Sequence, residues 1–180
     1  MKTIGIIGYK QSGKDTVANI IQKALFPKTV KITHFADPLK KIAMELGWDG
    51  KKDKRGRKLL QLLGTNVCRE CIDDDYWILK MVDFLHKENA KTLDFLLIPD
   101  LRFPNEAKML DNYYSELLVI KRPIKGIWRK LWFWLKPRHK SEHYEQWIKN
   151  FQHTVIVNDG TIEDLEKKLE QKIQEWQEIP

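Results

Sequence analysis

The stretch GYKQSGKDT, residues 8–16, has the spacing G-x-x-x-x-G-K. That spacing gives a backbone path able to wrap phosphate groups. Gly8 and Gly13 permit the tight turn. The amides of Lys10, Gln11, Ser12, Gly13, Lys14, Asp15 and Thr16 would converge on an anion at the start of a helix, where the helix dipole favours negative charge. Lys14 would reach the outer phosphates of a nucleotide. The usual pattern then places Ser or Thr after the lysine, as a hydroxyl ligand to Mg²⁺. Here that position is Asp15. Its carboxylate can bind Mg²⁺ directly or through water, lie in the first helical turn facing away from the phosphates, or hold Lys10 or another cation. Thr16 is the nearest hydroxyl. Cys68 and Cys71 form a C-x-x-C with no second pair to complete a zinc site, so they read as reduced thiols.

Such a loop needs a strand before it and a helix after it. KTIGIIG, residues 2–8, reads as a buried strand, and 13–25 as a helix with Val17, Ile20, Ile21 and Leu25 on one face. Further strands are expected at 29–35, 92–100, in ELLVIKR and in HTVIVND. Asp37-Pro38 reads as a cap and first turn of a helix ending near Leu46. Two helical patterns follow near 57–70 and 75–88, then PNEAKMLDNYY and a last amphipathic helix, 161–177, with Thr161 and Asp164 as a capping box. Alternating strands and helices predict an α/β fold with a parallel sheet and right-handed crossovers. Ligands of such sheets bind at the carboxyl ends of the strands. This draws attention to 35–40, 100–106, 121–122 and 158–160 beside the loop itself.

The bulk numbers set bounds. The sequence has 180 residues, 42% hydrophobic and 32% charged, which suits one folded domain, 1–180. No apolar run is long enough to span a membrane. The first residues do not form a signal peptide and run straight into the loop, so a cytoplasmic protein is expected (host cytoplasm if viral). The net charge of +7 suits a polyanionic ligand, nucleotide or nucleic acid.

GYKQSGKDT, FADPLK at 35–40, GRKLLQLLGT at 56–65, DDYW at 74–77, IPDLRFPNEA at 98–107, HKSE at 139–142 and VNDGT at 157–161 occur in that order. The ordered set resembles the deoxynucleoside monophosphate kinases of tailed bacteriophages, a branch of the P-loop nucleoside monophosphate kinases. The resemblance implies a three-layer fold with a five-stranded parallel sheet, order 2-3-1-4-5, and helices on both faces. It implies transfer of the ATP γ-phosphoryl to a dNMP, with Mg²⁺ as cofactor. Adenylate-kinase-like loops commonly read Gly-Lys-Gly-Thr, so Thr16 becomes the equivalent hydroxyl and Asp15 replaces a glycine. The similar G-K-D loop of a metazoan phosphomevalonate kinase supplies an alternative, a kinase of another small phosphorylated acceptor.

The resemblance also assigns residues. Arg57 and Arg102 would hold the acceptor phosphate, a task that suits the guanidinium fork. Asp100 would hold Mg²⁺ through water or bond a substrate group. Lys40 in FADPLK, Gly64, Thr65 and Trp77 in a helical region, 47–90, and Glu106 just beyond the strand that Asp100 ends match acceptor-site positions. Plain alternatives stand beside these: Gly64 as a helix stop, Trp77 as a core residue, Glu106 as a first-turn acid, Lys40 as a surface lysine. Asn158 and Gly160 would form the loop beside the donor's adenine.

The segment 123–142 is basic and rich in tryptophan, and it falls where these kinases carry a lid. Arg122, Arg129 and Arg138 are the arginines a lid would offer; His139, Ser141 and Glu142 match an H-x-S/T-E pattern. Its tryptophans suit packing on the domain or on a second copy in a homodimer. The rival readings are single-stranded nucleic acid, as in a nucleotide-dependent binding module, and a membrane interface. ATP and a dNMP are the expected partners, with neither nucleic acid nor membrane.

Overall fold

Strands β1 (Lys2–Ile7), β2 (Val30–Ile32), β3 (Phe95–Ile98), β4 (Ser115–Lys121) and β5 (Thr154–Val157) form one parallel sheet, in the order β2-β3-β1-β4-β5. This is the expected order. The computed structural model describes residues 1–86, 92–113, 115–124 and 143–179. The chain divides into two compact units: Met1–Ile32 with Leu93–Pro180, which holds the sheet, and Thr33–Thr92, which is helical.

In the sheet unit, β1 is buried along its whole length, as a central parallel strand must be. Alternate side chains face opposite layers. Ile4 and Ile6 of β1, Phe95 and Leu97 of β3, and Leu118 and Ile120 of β4 pack with Val17, Ile20 and Ile21 of α1 (Lys14–Ala24). Leu165, Leu169, Ile173 and Trp176 of α6 (Ile162–Gln177) complete that layer. Complete burial of such a side chain contributes about 1.5–3 kcal/mol. The other face meets α5 (Pro104–Leu110), where Leu110, Leu101 and Leu117 crowd over Gly5 so closely that a Cβ there would sit 2.8 Å from Leu117.

The register aligns the strand ends. Gly5 pairs with Ile98 on one side and Leu117 on the other; Ile7 pairs with Val119, and Lys121 with Val157. Parallel strands in this register bring the carboxyl ends of β1, β3, β4 and β5 to one edge. The opposite edge carries a charge cluster. Glu116 accepts from Trp176 Nε1 at 2.9 Å, and Lys2 and Lys172 reach its carboxylate at 3.1 and 3.0 Å. Burial alone would raise this carboxyl's pKa; the bonds from Trp176, Lys172 and Lys2 outweigh it and hold Glu116 below the usual carboxylate range. At the start of α6, Thr161 Oγ1 accepts from Asp164 N at 3.2 Å and Asp164 accepts from Thr161 N at 2.9 Å. That is the capping box read from the sequence.

The helical unit contains α2 (Ala36–Glu45), α3 (Lys54–Gln61), a π-helical segment (Leu62–Ile72) and α4 (Tyr76–His86). Three expectations are corrected here. The Asp37 carboxylate does not cap from in front of α2; the helix already begins at Ala36, and Asp37 reaches back to accept from His34 N at 3.0 Å. Nor does Gly64 stop a helix. The chain passes from α3 into the π segment without a break and leaves it only at Asp73, whose N–H donates to Cys68 O at 2.9 Å, five residues back. Gly64 is buried in that segment and is needed for proximity: a Cβ there would lie 3.0 Å from Leu39. The strands are also shorter than expected at both 29–35 and 92–100, because only Val30–Ile32 and Phe95–Ile98 have neighbours in register.

Candidate functional site

The loop between β1 and α1 turns on two glycines. Gly13 has φ 99°, a left-handed conformation that side chains resist. A Cβ on Gly8 would sit 2.5 Å from the Ile120 carbonyl oxygen, so only glycine lets the loop leave β1 this close to β4. Gln11 also has positive φ, 64°, the sort of local backbone strain found at functional sites.

The loop's carbonyl groups are turned to cations and donors of the sheet unit. Lys14 Nζ donates to Gly8 O at 2.8 Å and Tyr9 O at 2.9 Å. Tyr9 O also accepts from Ser12 N at 3.1 Å. Arg122 Nη1, just beyond β4, lies 3.5 Å from Gln11 O, and Asn158 Nδ2, just beyond β5, donates to Ser12 O at 2.8 Å. Gly13 O accepts the first bond of α1, from Val17 N at 2.9 Å. Ser12 is 2% exposed, and its hydroxyl oxygen has no hydrogen-bond partner among the described residues. A buried hydroxyl left in this state is costly unless something binds there. With two glycines that admit no Cβ and a lysine already at the loop, the site suits an anion rather than a metal cage. No cluster of three or more His, Cys, Asp or Glu side chains able to hold a metal occurs among the described residues.

The remaining sequence-predicted residues fall as follows. Lys10 and Asp15 are exposed, Asp15 in the first turn of α1, and Thr16 is half-buried. Asp100 is buried, two residues past the end of β3 and therefore at the same sheet edge as the loop. Arg102 is exposed. Glu106 is 2% exposed, and its carboxylate accepts the backbone N–H groups of Arg102 at 2.7 Å and Phe103 at 3.1 Å, so it shapes the turn that carries Arg102. Gly160 is exposed, and the Asp164 carboxylate fills the space a Cβ would take. The sheet unit thus gathers Lys10 to Thr16, Asp100, Arg122 and Asn158 at one edge.

The helical unit carries the others. Arg57 is exposed on α3, whose cap is Asp53 accepting from Gly56 N at 2.7 Å. Lys40 pairs with Asp37 at 2.7 Å. Burial pushes the Asp37 carboxyl up, but Lys40 and His34 more than offset it and the pKa falls. Thr65 is buried in the π segment. Trp77 is 4% exposed, and its Nε1 donates to Gly64 O at 2.8 Å, so Trp77 takes its place within the unit's packing. Cys68 is buried, which raises its thiol pKa, and Cys71 is exposed; both are free.

Three features escaped sequence reasoning. Arg69 is 5% exposed and donates from Nη1 to Asp74 O at 2.6 Å; an arginine between two cysteines gave no signal. Tyr144, in the short 3₁₀ turn Tyr144–Gln146, is buried with its ring 4.9 Å from that of Tyr9. Asn158 holds the loop itself. Of the expected lid, only Pro123 and Ile124 are described; Arg129, Arg138, His139, Ser141 and Glu142 lie outside the described residues.

A family model described as deoxynucleotide monophosphate kinase matches residues 48–169. The chain belongs to the deoxynucleotide monophosphate kinase family. The family match begins beyond the phosphate loop, so loop and family are independent observations. A curated relative, the deoxynucleoside-5'-monophosphate kinase of Escherichia phage T5, is 35% identical over 54 residues, 30% of this chain. That alignment spans 20% of the phage enzyme's length. Among solved structures, dephospho-CoA kinase from Campylobacter jejuni aligns with a TM-score of 0.56 at 16% identity, over 97% of each chain. Thymidylate kinase from Candida albicans aligns with a TM-score of 0.50 at 16% identity, over 98% of this chain and 93% of that one. These likenesses show the fold, that of the P-loop kinases. No helix among the described residues is long and apolar enough to cross a membrane.

Proposed function

We propose that the chain is a deoxynucleoside monophosphate kinase, transferring the γ-phosphoryl of ATP to a dNMP in the cytoplasm. The observation that carries this reading is the phosphate loop of residues 8–16 at the carboxyl edge of β1, in a chain of the deoxynucleotide monophosphate kinase family. An oxygen of the acceptor phosphate attacks the γ-phosphorus, the bond from that phosphorus to the β-bridging oxygen breaks, and ADP and a dNDP leave. No covalent enzyme intermediate is needed. Both units belong to one kinase domain, with 47–90 as the acceptor-binding region.

Phosphoryl transfer asks a protein for position and charge rather than for a nucleophile. Lys14 exchanges the Gly8 and Tyr9 carbonyls for the donor's outer phosphate oxygens, a stronger acceptor. The loop amides and the Ser12 hydroxyl bind the donor phosphates, with Lys10 at the rim. Arg102 and Arg57 hold the acceptor phosphate. Mg²⁺, with the Thr16 hydroxyl and the Asp15 and Asp100 carboxylates as the residues able to hold it, would neutralise charge on the β- and γ-phosphates. Gly64, Thr65, Trp77, Lys40 and Glu106 shape the acceptor region, and Gly160 belongs to the donor-base loop.

The test is a coupled ADP-release assay with ATP, Mg²⁺ and each of the four dNMPs. Turnover with at least one dNMP, well above ATP hydrolysis alone, is expected. Absence of turnover with all four overturns the reading.

A further inference from the structure

Asn158 follows β5, in the loop that the family resemblance sets beside the donor's adenine. Its side chain reaches into the phosphate loop. The Nδ2 group donates to Ser12 O at 2.8 Å, inside the phosphate loop and 146 residues away in sequence. The approach is so close that a Cβ on Gly13 would collide with that nitrogen. Gly13 is therefore required twice, for its φ of 99° and for the space Asn158 occupies.

We propose that Asn158 is a positioning residue of the phosphate loop, setting the orientation of the Ser12–Gly13 peptide toward the donor's phosphates. This deepens the kinase reading and rests on it. A trans peptide is planar, and its C=O and N–H point in opposite directions. Holding the Ser12 oxygen on Asn158 therefore turns the Gly13 N–H away from Asn158 and keeps it there. Beside a glycine the peptide would otherwise be free to flip, because glycine accepts either sign of φ. An amide fixed before the ligand arrives binds an anion without reorganising first.

Asn158 is itself held. Its backbone N–H donates to Lys121 O at 2.8 Å, extending the β4–β5 ladder by one bond. Lys168 of α6 donates to Val157 O at 2.8 Å and pairs with Asp159. The Thr161–Asp164 capping box fixes the chain just beyond. Arg122, one residue past Lys121, approaches the neighbouring carbonyl, Gln11 O. Two adjacent strand ends thus engage two adjacent carbonyls of the loop.

The test measures binding of inorganic tripolyphosphate, ATP and adenosine by calorimetry, with Mg²⁺, to the whole chain and to Asn158→Asp and Asn158→Ala. Ala removes the donor without adding charge and carries the comparison; Asp keeps the shape but adds a negative charge, so a loss confined to Asp reports repulsion and overturns the proposal. Affinities for tripolyphosphate and for ATP are expected to fall by the same factor, about tenfold. The KM for dNMP and the preference for ATP over GTP should stay within about twofold of the starting values. A fall for ATP and adenosine without one for tripolyphosphate, or a changed ATP-to-GTP preference, overturns the proposal in favour of a base contact. No change in any ligand also overturns it and leaves the kinase reading standing on the dNMP assay. If the unaltered chain neither binds tripolyphosphate nor turns over any dNMP, both readings fall. A measurement without substitution guards against variants that do not fold. The Asn158 side-chain amide resonance of the unaltered chain should shift on adding tripolyphosphate and stay in place with adenosine; the reverse overturns the proposal.

Discussion

The sheet unit and the helical unit fix their residues by different means. In the sheet unit, Gly8, Asp100, Arg122 and Asn158 follow the ends of parallel strands, and backbone register decides where each begins. In the helical unit, single side chains do the fixing: Trp77 on Gly64, Arg69 on Asp74, Asp53 on Gly56. A ladder distributes its constraint over many bonds, so no one side chain decides the position of the phosphate loop's flanks. A helical unit whose middle is a π segment pairs its backbone five residues apart there, and individual side chains anchor it as well. The first arrangement suits a rigid anion site. The second leaves the segment dependent on a few side chains, since local opening concentrates where support is thin.

The contrast can be broken from either side. The largest effect is expected from Lys14→Ala, which removes the cation from the loop while leaving the ladder intact: kcat should drop at least about 100-fold. The circular-dichroism melting curve should barely move, and a collapse of the melt would mean that the sheet unit, too, hangs on one side chain. Next comes Trp77→Ala, which leaves a cavity and an unbonded Gly64 carbonyl. It should cost about 3–5 kcal/mol, read by hydrogen exchange as lost protection across Leu62–Ile72 with β1, β3 and β4 unchanged. Equal loss in the strands would erase the distinction between the units.

Glu116→Gln tests the ladder's own far edge and should cost about 1–3 kcal/mol at neutral pH, because charged hydrogen bonds from two lysines are weakened. The sign with pH follows from the lowered carboxyl. Its folded pKa lies below the unfolded value, so its contribution is full above the unfolded pKa and is lost as pH falls through the folded one. Melting temperatures of the chain and of Glu116→Gln should therefore converge as pH drops toward 3 and separate above about pH 5. The smallest effect is expected from Thr161→Ala, about 1 kcal/mol from a lost helix cap, measured by denaturant melting. A loss several times larger would show that the cap supports more than its own helix.

The same contrast governs how far the sequence could be read. The strands and the loop's environment were legible because buried strands are apolar runs and the G-x-x-x-x-G-K spacing has few other uses; the strand order came only with the family resemblance. The Thr161–Asp164 box was legible because it is local. The helical unit was harder: Gly64 carries the usual mark of a helix end, yet it was selected for contact with Leu39, residues apart in the chain and invisible to a window of neighbours. Asn158 was placed at the correct edge, but its bond to Ser12 O was not legible, since sequence position fixes the strand end but not which carbonyl the side chain meets. Asp15 is exposed in the first turn of α1, one of the placements the sequence left open to it.

The cover that α6 lays over α1 and β1 has a consequence for how the protein is made. Leu165, Leu169, Ile173 and Trp176 shield residues from the opening quarter of the chain, and α6 is translated after everything it shields. A ribosome working at about 5–20 residues per second leaves the greasy side of β1 and α1 waiting several seconds for its lid of late-arriving side chains. Stalled or prematurely released chains that stop short of Ile162 would display that surface, which makes them natural clients for chaperones and proteases.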